Sequence, residues 1–163
     1  MNHLPHVYTV ESVTSGHPDK VCDQISDAVL DACLEQDPAS RVAVESFGSH
    51  GHLVLGGEVT TKAQVNYEQI ACDVYKAIGY NHELEIRVHI VEQSPDIAQG
   101  VDTGGAGDQG IMYGYATAET PEYLPAGLVL VHRLTKALET IRKSGLLPWL
   151  GPDGKAQVTI ENG

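Results

Sequence analysis

The sequence predicts an α+β fold, with helices and hairpin strands mixed along one chain of 163 residues. Segments in which every second residue is apolar, typical of half-buried strands, alternate with segments whose apolar residues recur every three to four positions, typical of helices. Two of the strand-like segments are separated only by a short turn, which favours antiparallel or mixed sheets over a doubly wound fold. The apolar fraction of 42% and the charged fraction of 20% are typical of a globular protein.

The predicted elements follow the order β-α-β-β-α-β, then a long loop, then β-α-β. Residues 7–10 suit a first strand. A helix begins near Pro18, because proline is favoured in the first helical turn, and ends near Gln36, before Asp37-Pro38. One side of this helix is apolar, whereas acids recur at every fourth position on the other: Asp19, Asp23, Asp27, Asp31 and Glu35. The acidic side is interpreted as a solvated face, with cation sites as the alternative.

A hairpin follows, with strands at residues 41–47 and 52–60 joined by the turn Ser49-His50-Gly51. The next helix starts after the N-cap residue Asn66 and ends at Gly79. Alternating apolar residues predict further strands at residues 84–90, 111–117 and 155–160. The spacing of apolar residues predicts a helix over residues 127–144. Its inward face is expected to carry Leu130, Leu134, Ala137 or Leu138, and Ile141.

The charge and the cysteines exclude several classes of protein. Lys and Arg number 10 against 22 Asp and Glu, a net charge of −12, so we predict neither a nucleic-acid partner nor a membrane partner. The longest apolar run, residues 126–131, is far shorter than the roughly 20 residues that span a bilayer. The sequence shows no secretory signal, and the three cysteines form no CxxC pair, so we expect a reducing, cytoplasmic location.

The tetrapeptide His17-Pro18-Asp19-Lys20 is a candidate phosphate site. The first turn of a helix offers free N–H groups and the positive end of the helix dipole, and His17 and Lys20 add donors. Asp19 could hold Mg²⁺ beside a phosphate, because Mg²⁺ takes one or two carboxylates together with phosphate oxygens. The alternative is a purely structural role, since Pro and Asp also start helices well.

Two carboxylates on the hairpin are further candidates. Glu45 shares a strand face with Ala43 and Phe47, so we expect it to be half-buried and to need a cation partner, ionic or metallic. Glu58 follows Gly56-Gly57, where the backbone either approaches a ligand closely or forms a β-bulge. Residues 100–110 are rich in glycine and fit a mobile lid or a flexible linker, but they do not match a Walker A loop, because no Gly-Lys-Ser/Thr follows.

Two other groups have ordinary interpretations. His50-x-His52 is interpreted as hairpin surface and not as a metal site, because no third ligand is nearby in the sequence. The basic residues Arg133, Lys136, Arg142 and Lys143 are interpreted as a solvated helix face and not as a phosphate site.

Several peptides along most of the chain carry a resemblance to a known family. They are Glu11-Ser12-Val13-x-x-Gly16-His17-Pro18-Asp19-Lys20, Asp23-Gln24-Ile25-Ser26-Asp27-Ala28, Gly57-Glu58-Val59-Thr60-Thr61, Gln93-Ser94-Pro95-Asp96-Ile97, Gly105-Ala106-Gly107-Asp108-Gln109-Gly110 and Leu147-Pro148-Trp149-Leu150. The His-Pro-Asp-Lys and Gly-Ala-Gly-Asp-Gln-Gly peptides, in this order, are the most specific. Together the peptides resemble those of S-adenosylmethionine synthetase (methionine adenosyltransferase).

The resemblance implies a transferase that makes S-adenosylmethionine from ATP and L-methionine. The methionine sulfur attacks the ribose C5′, and triphosphate leaves and is then hydrolysed to pyrophosphate and phosphate. By the same resemblance His17 and Lys155 are catalytic. The implied ATP-binding residues are His17, Asp153, Gly154 and Lys155. The implied methionine-binding residues are Glu58, Gln93 and Asp108.

The resemblance also implies two cations, a gate and an oligomer. Asp19, with Glu11, would hold Mg²⁺, and Glu45 would help to hold K⁺. The implied gating loop comprises Gln93, Ser94, Pro95, Asp96, Ile97, Ala98, Gln99, Gly100, Val101, Asp102 and Thr103. The stretch between Asp102 and Gly105 is shorter than the lid usual in the family. In the family the site lies between two subunits of a homodimer, often paired into a tetramer.

Family subunits are longer and contain three similar α+β domains, so we expect this sequence to be an N-terminal piece. Residues 1–118 would form most of one central-type domain that binds ATP and methionine, with the gating loop at about 93–105. Residues 119–163 would form an incomplete second α+β domain, with interleaved boundaries. We expect such a piece to be inactive without the C-terminal portion. Two alternatives stay open: a non-catalytic accessory chain that needs a partner, and a small Mg²⁺-dependent phosphohydrolase.

Overall fold

The structure is a computed structural model that describes residues 7–101, 104–106 and 109–161. In chain order its elements are β1 (Val7–Val13), α1 (Pro18–Gln36), β2 (Arg41–Ser49), β3 (His52–Thr60), α2 (Tyr67–Ile78), β4 (Glu85–Val91), α3 (Pro95–Val101), α4 (Ala126–Ser144) and β5 (Lys155–Glu161). This mixture of sheets and helices confirms the predicted α+β class. Over the part of the chain described, no helix combines the length and apolar character needed to cross a bilayer.

The chain divides into two compact units, one formed by Met1–Lys20 with Tyr113–Gly163 and the other by Val21–Met112. The first unit contains a two-stranded antiparallel sheet in which β1 pairs with β5, with Val13 opposite Lys155. Helix α4 packs against both strands. The predicted boundary at residue 118 concerns family domains and not these compact units, and it stays a prediction.

The second unit is built on the three-stranded sheet β2-β3-β4. The strands β2 and β3 form the predicted antiparallel hairpin, and β4 runs parallel to β3 because α2 provides the crossover between them. Its core includes three side chains that are almost fully buried, Ile25 of α1 and Leu53 and Leu55 of β3. The predicted cap of α2 is confirmed, since the Asn66 side chain accepts a hydrogen bond of 3.0 Å from the Gln69 N–H.

The acidic side of α1 is exposed. From Asp23 to Glu35 the carboxylates at every fourth position lie on the exposed side of the helix, while Val21, Ile25, Val29 and Cys33 form the buried side. The structure therefore supports a solvated acidic face, which spreads the like charges into water and limits their repulsion.

The predicted inward face of α4 is only partly correct: Leu138 and Ile141 are half-buried, but the two leucines nearer the start of the helix are not. Leu130 and Leu134 are 45% and 49% exposed, whereas Gly127, Val131 and Thr135 are buried. The reason is close packing at Gly127, where an added Cβ would lie 2.9 Å from the Tyr8 ring. Tyr8 also accepts a hydrogen bond from the Gly127 N–H at 3.1 Å, so this side of the helix must face β1.

Two further expectations for the middle of the chain are wrong. Residues 111–117 form no strand, and the expected long loop contains helix α3. The sequence did carry a signal for α3, because Ser94-Pro95-Asp96 is a typical helix start and the Ser94 hydroxyl accepts from the Asp96 N–H at 3.2 Å.

Candidate functional site

The turn between β1 and α1 is held against the segment that precedes β5. The buried Thr14 donates from its N–H to the Gly154 carbonyl at 2.8 Å and from its hydroxyl to the Pro152 carbonyl at 2.6 Å. The Gly16 N–H donates to the same Pro152 carbonyl at 3.1 Å. These bonds follow from the β1–β5 register and bring residues 14–16 beside residues 152–154. The two segments predicted to bind ATP are therefore adjacent in one compact unit.

Gly16 is required by the closeness of this contact. A Cβ added at residue 16 would overlap the backbone carbonyl of Pro152 and would lie 2.6 Å from the Pro152 Cβ. No real Cβ contact is that short, so a side chain at this position must push the two segments apart.

We therefore expect Gly16→Ala to lower the free energy of unfolding by about 2–3 kcal/mol, the typical cost of overpacking. Chemical denaturation followed by circular dichroism measures this change. Gly151→Ala is the matched control, because a Cβ at residue 151 meets nothing within 4 Å. Equal stability of the two variants would contradict the close approach.

His17 and Asp19 lie together at the start of α1. The His17 Nδ1 accepts from the Asp19 N–H at 3.3 Å and lies 3.7 Å from the Asp19 carboxylate. A neutral imidazole whose Nδ1 accepts a hydrogen bond carries its proton on Nε2, and that N–H can donate to a phosphate oxygen. The Asp19 side chain is 89% exposed, so its carboxylate can coordinate a cation.

Lys155 and Glu11 form an ion pair across the β1–β5 sheet, with 2.7 Å between Nζ and the carboxylate. Both side chains are about half exposed, and pairs of this kind contribute at most about 1 kcal/mol. Lys155 can therefore exchange the Glu11 carboxylate for a phosphate at low cost. Asp153 is exposed, and the Gly154 position is tight, since a Cβ there would lie 3.1 Å from the Thr14 side chain.

Glu139 of α4 anchors the same turn from the helix. Its Oε1 accepts from the Ser15 hydroxyl at 2.8 Å and from Arg142 at 2.6 Å, and it pairs with Lys143 at 3.0 Å. Burial raises the pKa of Glu139, but the hydrogen bonds from Arg142, Lys143 and Ser15 outweigh it and lower the pKa to about 2. The expectation of a solvated basic face is wrong for Arg142, which is 13% exposed.

The lowered pKa of Glu139 predicts how the free energy of unfolding depends on pH in acid. Because the folded pKa lies below the usual value of 4.5, the stabilisation is complete above about pH 4.5 and is lost as the pH falls towards 2. We expect a contribution on the order of 3 kcal/mol at neutral pH, absent in Glu139→Gln. Between pH 5 and 2, the free energy of unfolding should fall less steeply with pH in this variant than in the wild type. Glu83→Gln, at an exposed position, is the control and should show the same pH dependence of stability as the wild type. The same pH dependence in Glu139→Gln would contradict the prediction.

The second unit carries the residues predicted for methionine and K⁺. Glu58 is half-buried on β3, in register with Ala43 and Val91, and the Gln93 side chain accepts from the Arg41 Nε at 3.0 Å. Glu45 is exposed, so its expected half-burial is wrong in this chain, because its strand face is uncovered.

The predicted gating loop is only partly a loop. Residues 95–101 of it form α3, while Asp102 and Thr103 lie outside the described residues. Asp108, predicted to bind methionine, also lies outside them.

A magnesium ion would fit Asp19 as a shared ligand. Within the described ranges, no three His, Cys, Asp or Glu side chains form a group that could hold a metal ion. One exposed carboxylate can suffice for Mg²⁺ where phosphate oxygens and water supply the remaining ligands, so Asp19 fits this role if the start of α1 binds phosphate as predicted. Glu11 is engaged with Lys155, so Asp19 is the better candidate of the two.

Sequence reasoning missed the residues that support the site, namely Ser15, Glu139 and Arg41. The spacing of Glu139 to Arg142 and Lys143, three and four residues on, was a usable signal for ion pairs on one helix face. No sequence signal indicated the contact of Ser15 with Glu139 or of Arg41 with Gln93, because each joins residues far apart in the chain.

Comparison with known proteins agrees with the motifs. Residues 5–99 match the family described as S-adenosylmethionine synthetase, N-terminal domain, and residues 103–163 match S-adenosylmethionine synthetase, central domain. The chain is 49% identical over 180 aligned positions to the S-adenosylmethionine synthase of Thermosynechococcus vestitus (strain NIES-2133 / IAM M-273 / BP-1). The alignment covers 96% of this chain and 43% of that relative, so the chain spans less than half of the relative's length. The chain belongs to the S-adenosylmethionine synthetase family.

Proposed function

We propose that this chain acts in the formation of S-adenosylmethionine from ATP and L-methionine, as a cytoplasmic, oligomeric methionine adenosyltransferase. The observation that carries the proposal is the hydrogen-bonded contact of residues 14–16 with residues 152–154. It places the helix start bearing His17 and Asp19 beside the segment bearing Asp153 and Lys155. The matches of residues 5–99 and 103–163 to two successive domains of one family support this assignment.

The reaction needs alignment and charge neutralisation more than a side-chain nucleophile. The methionine sulfur attacks the ribose C5′, the C5′–O bond breaks, and the oxygen leaves with the triphosphate, which is then hydrolysed to pyrophosphate and phosphate. We assign to the His17 Nε2–H and to Lys155 the stabilisation of the charge that develops on the leaving oxygens. Asp153 and Gly154 bind ATP in this proposal.

Two cations belong to the proposal. Asp19 would hold Mg²⁺, with Glu11 as a second carboxylate once Lys155 turns to a phosphate, and the ion would neutralise charge on the triphosphate. Glu45 would help to hold K⁺ where a further chain covers its strand face.

Methionine binding is assigned to the second unit and its gate. Glu58, Gln93 and Asp108 are the proposed ligands, with Arg41 holding the Gln93 amide. The gating loop at residues 93–103 would close over the substrates, and α3 would move with it. We propose that the complete site forms between two subunits of a homodimer, or of a tetramer built from such dimers.

The charge of the chain limits what it can do alone. The leaving triphosphate carries about four negative charges that must be neutralised. The sequence has a net charge of −12, and the cationic residues among those proposed to contact phosphate are Lys20 and Lys155. We therefore expect the 163 residues to bind Mg²⁺·ATP but to make no S-adenosylmethionine unless the C-terminal portion of the family is added.

Titration calorimetry with Mg²⁺·ATP and with L-methionine tests the proposal, followed by mass spectrometry of the product. His17→Ala should weaken ATP binding about tenfold, the loss of a charge-assisted hydrogen bond. His132→Ala is the control, because His132 is an exposed histidine of the same compact unit.

Absence of nucleotide binding, together with capture of a protein partner, would favour an accessory chain and contradict the proposal. Phosphate release from triphosphate with no binding of methionine would favour a phosphohydrolase.

A further inference from the structure

Helix α4 presents two polar side chains, one turn apart, to the end of β1 and the turn that follows it. The Thr135 hydroxyl lies 3.1 Å from the Ser12 hydroxyl, and the Glu139 carboxylate accepts from the Ser15 hydroxyl at 2.8 Å. Together Ser12, Ser15, Thr135 and Glu139 form a polar seam. Thr135 is 6% exposed, so the seam is part of the packing between α4 and β1. The seam joins residues 123 and 124 positions apart in the chain.

The Glu139 end of the seam is rigid. The Arg142 Nη2 and Nε donate to the two carboxylate oxygens at 2.6 and 3.3 Å, which is the fork geometry that fixes a carboxylate in one orientation. The side chains of Glu139 and Arg142 are only 17% and 13% exposed. Lys143 adds a third cationic contact at 3.0 Å. Ser15 therefore donates to an acceptor that is already held in place.

The turn at residues 14–17 is thus held from two directions. Thr14 and Gly16 bond to the backbone of residues 152–154, and Ser15 bonds to α4. His17 follows directly, and its N–H donates to the Thr14 carbonyl at 3.2 Å. A shift of Ser15 must therefore move the residue that we assign to the phosphates.

We infer that Glu139, with Arg142 behind it, is a positioning residue that fixes the His17 turn through the Ser15 hydroxyl. The inference rests on the proposed function for the role of His17, but the positioning itself is independent of it. Glu139 touches no substrate in this scheme. Its contribution is geometric, and small displacements of a catalytic group are costly, since about 1 Å can change a rate by about 100-fold.

The test uses Ser15→Ala, Glu139→Gln and Ser15→Thr. The NMR resonances of the labelled His17 imidazole report its position, and calorimetry reports the affinity for Mg²⁺·ATP. We expect Ser15→Ala and Glu139→Gln to shift the His17 resonances and to weaken Mg²⁺·ATP binding about fivefold to tenfold. Ser15→Thr keeps the hydroxyl and should restore both readouts. Glu122→Gln is the matched control, because it breaks an exposed pair with Arg133 and should change neither.

The two failures are distinguishable. If the wild type binds no Mg²⁺·ATP, the proposed function fails, while the His17 resonances still test the positioning. If the His17 resonances are unchanged in both Ser15→Ala and Glu139→Gln, the inference is overturned, whatever the wild type binds. Thermal unfolding of each variant identifies a loss of fold, and Ser15→Ala, which removes one hydroxyl, keeps the test available if Glu139→Gln does not fold.

Discussion

Replacing Asp19 by Asn should lower the Mg²⁺-dependent turnover of the assembled enzyme by about 100-fold or more, while the fold is retained. Asn keeps the size of the side chain, but it removes the charge that Mg²⁺ requires. Loss of one electrostatic contact to developing charge typically costs about 100-fold to 1,000-fold in rate. Because the Asp19 side chain is 89% exposed, we expect the free energy of unfolding to change by less than about 1 kcal/mol.

Asp31→Asn is the control for this experiment. Asp31 is an exposed carboxylate on the same helix, so its substitution changes the net charge equally and leaves the proposed site intact. Turnover is measured as a function of Mg²⁺ concentration for both variants. Near-normal turnover of Asp19→Asn at ordinary Mg²⁺ would show that Asp19 is not a ligand.

Replacing Gly57 by Ala should unfold the second unit or bring it close to unfolding. Gly57 has φ of +136°, which L-residues avoid, and an added Cβ would overlap the Ala43 carbonyl oxygen on β2. The two costs together are about 3 kcal/mol or more, a large part of the 5–15 kcal/mol that stabilises a typical domain. Thermal unfolding and denaturant titration measure the loss.

Gly56→Ala is a matched control at the adjacent position. Gly56 has no positive φ, and a Cβ there would meet only the His89 carbonyl at 3.8 Å, an ordinary contact. The register of β2 with β3 is continuous through both glycines, so the β-bulge alternative is wrong. If the two variants are equally stable, the strained conformation of Gly57 is not a requirement of the sheet. Loss of stability in Gly57→Ala alone would show that the glycine before Glu58 is needed for the strand itself.

Local signals predicted much of the fold. Pro18 marks the start of α1, Asn66 caps α2, and His50 and Gly51 form the hairpin turn with φ of +48° and +81°. Each of these features is decided by residues within one turn of the chain, and each was readable from the sequence. The phosphate-site interpretation of residues 17–20 is of the same kind, and it stays a prediction about ligands.

The predictions that were wrong concern features set by contacts between residues far apart in the chain. Helix α4 has apolar residues around much of its circumference, so periodicity alone could not choose between Leu130 with Leu134 and Val131 with Thr135. The side of α4 that faces β1 is fixed by the packing of Tyr8 on Gly127, although more than a hundred residues separate the two in the sequence. The exposure of Glu45 and the pairing of Ser15 with Glu139 are likewise tertiary facts with no local signature.

The pairing of β1 with β5 has a consequence for how the protein is made. The hydroxyls of Thr9 and Thr159 meet across this sheet although 150 positions separate them. The Thr14 hydroxyl likewise donates to the Pro152 carbonyl, 138 positions downstream. Residues 21–112 are contiguous and can fold while the chain is still on the ribosome, but β1 has no partner until β5 emerges. At about 5–20 residues per second, that interval is roughly 7–30 s. During it the strand edge of β1 is available to other nascent chains, and the His17 turn is assembled last.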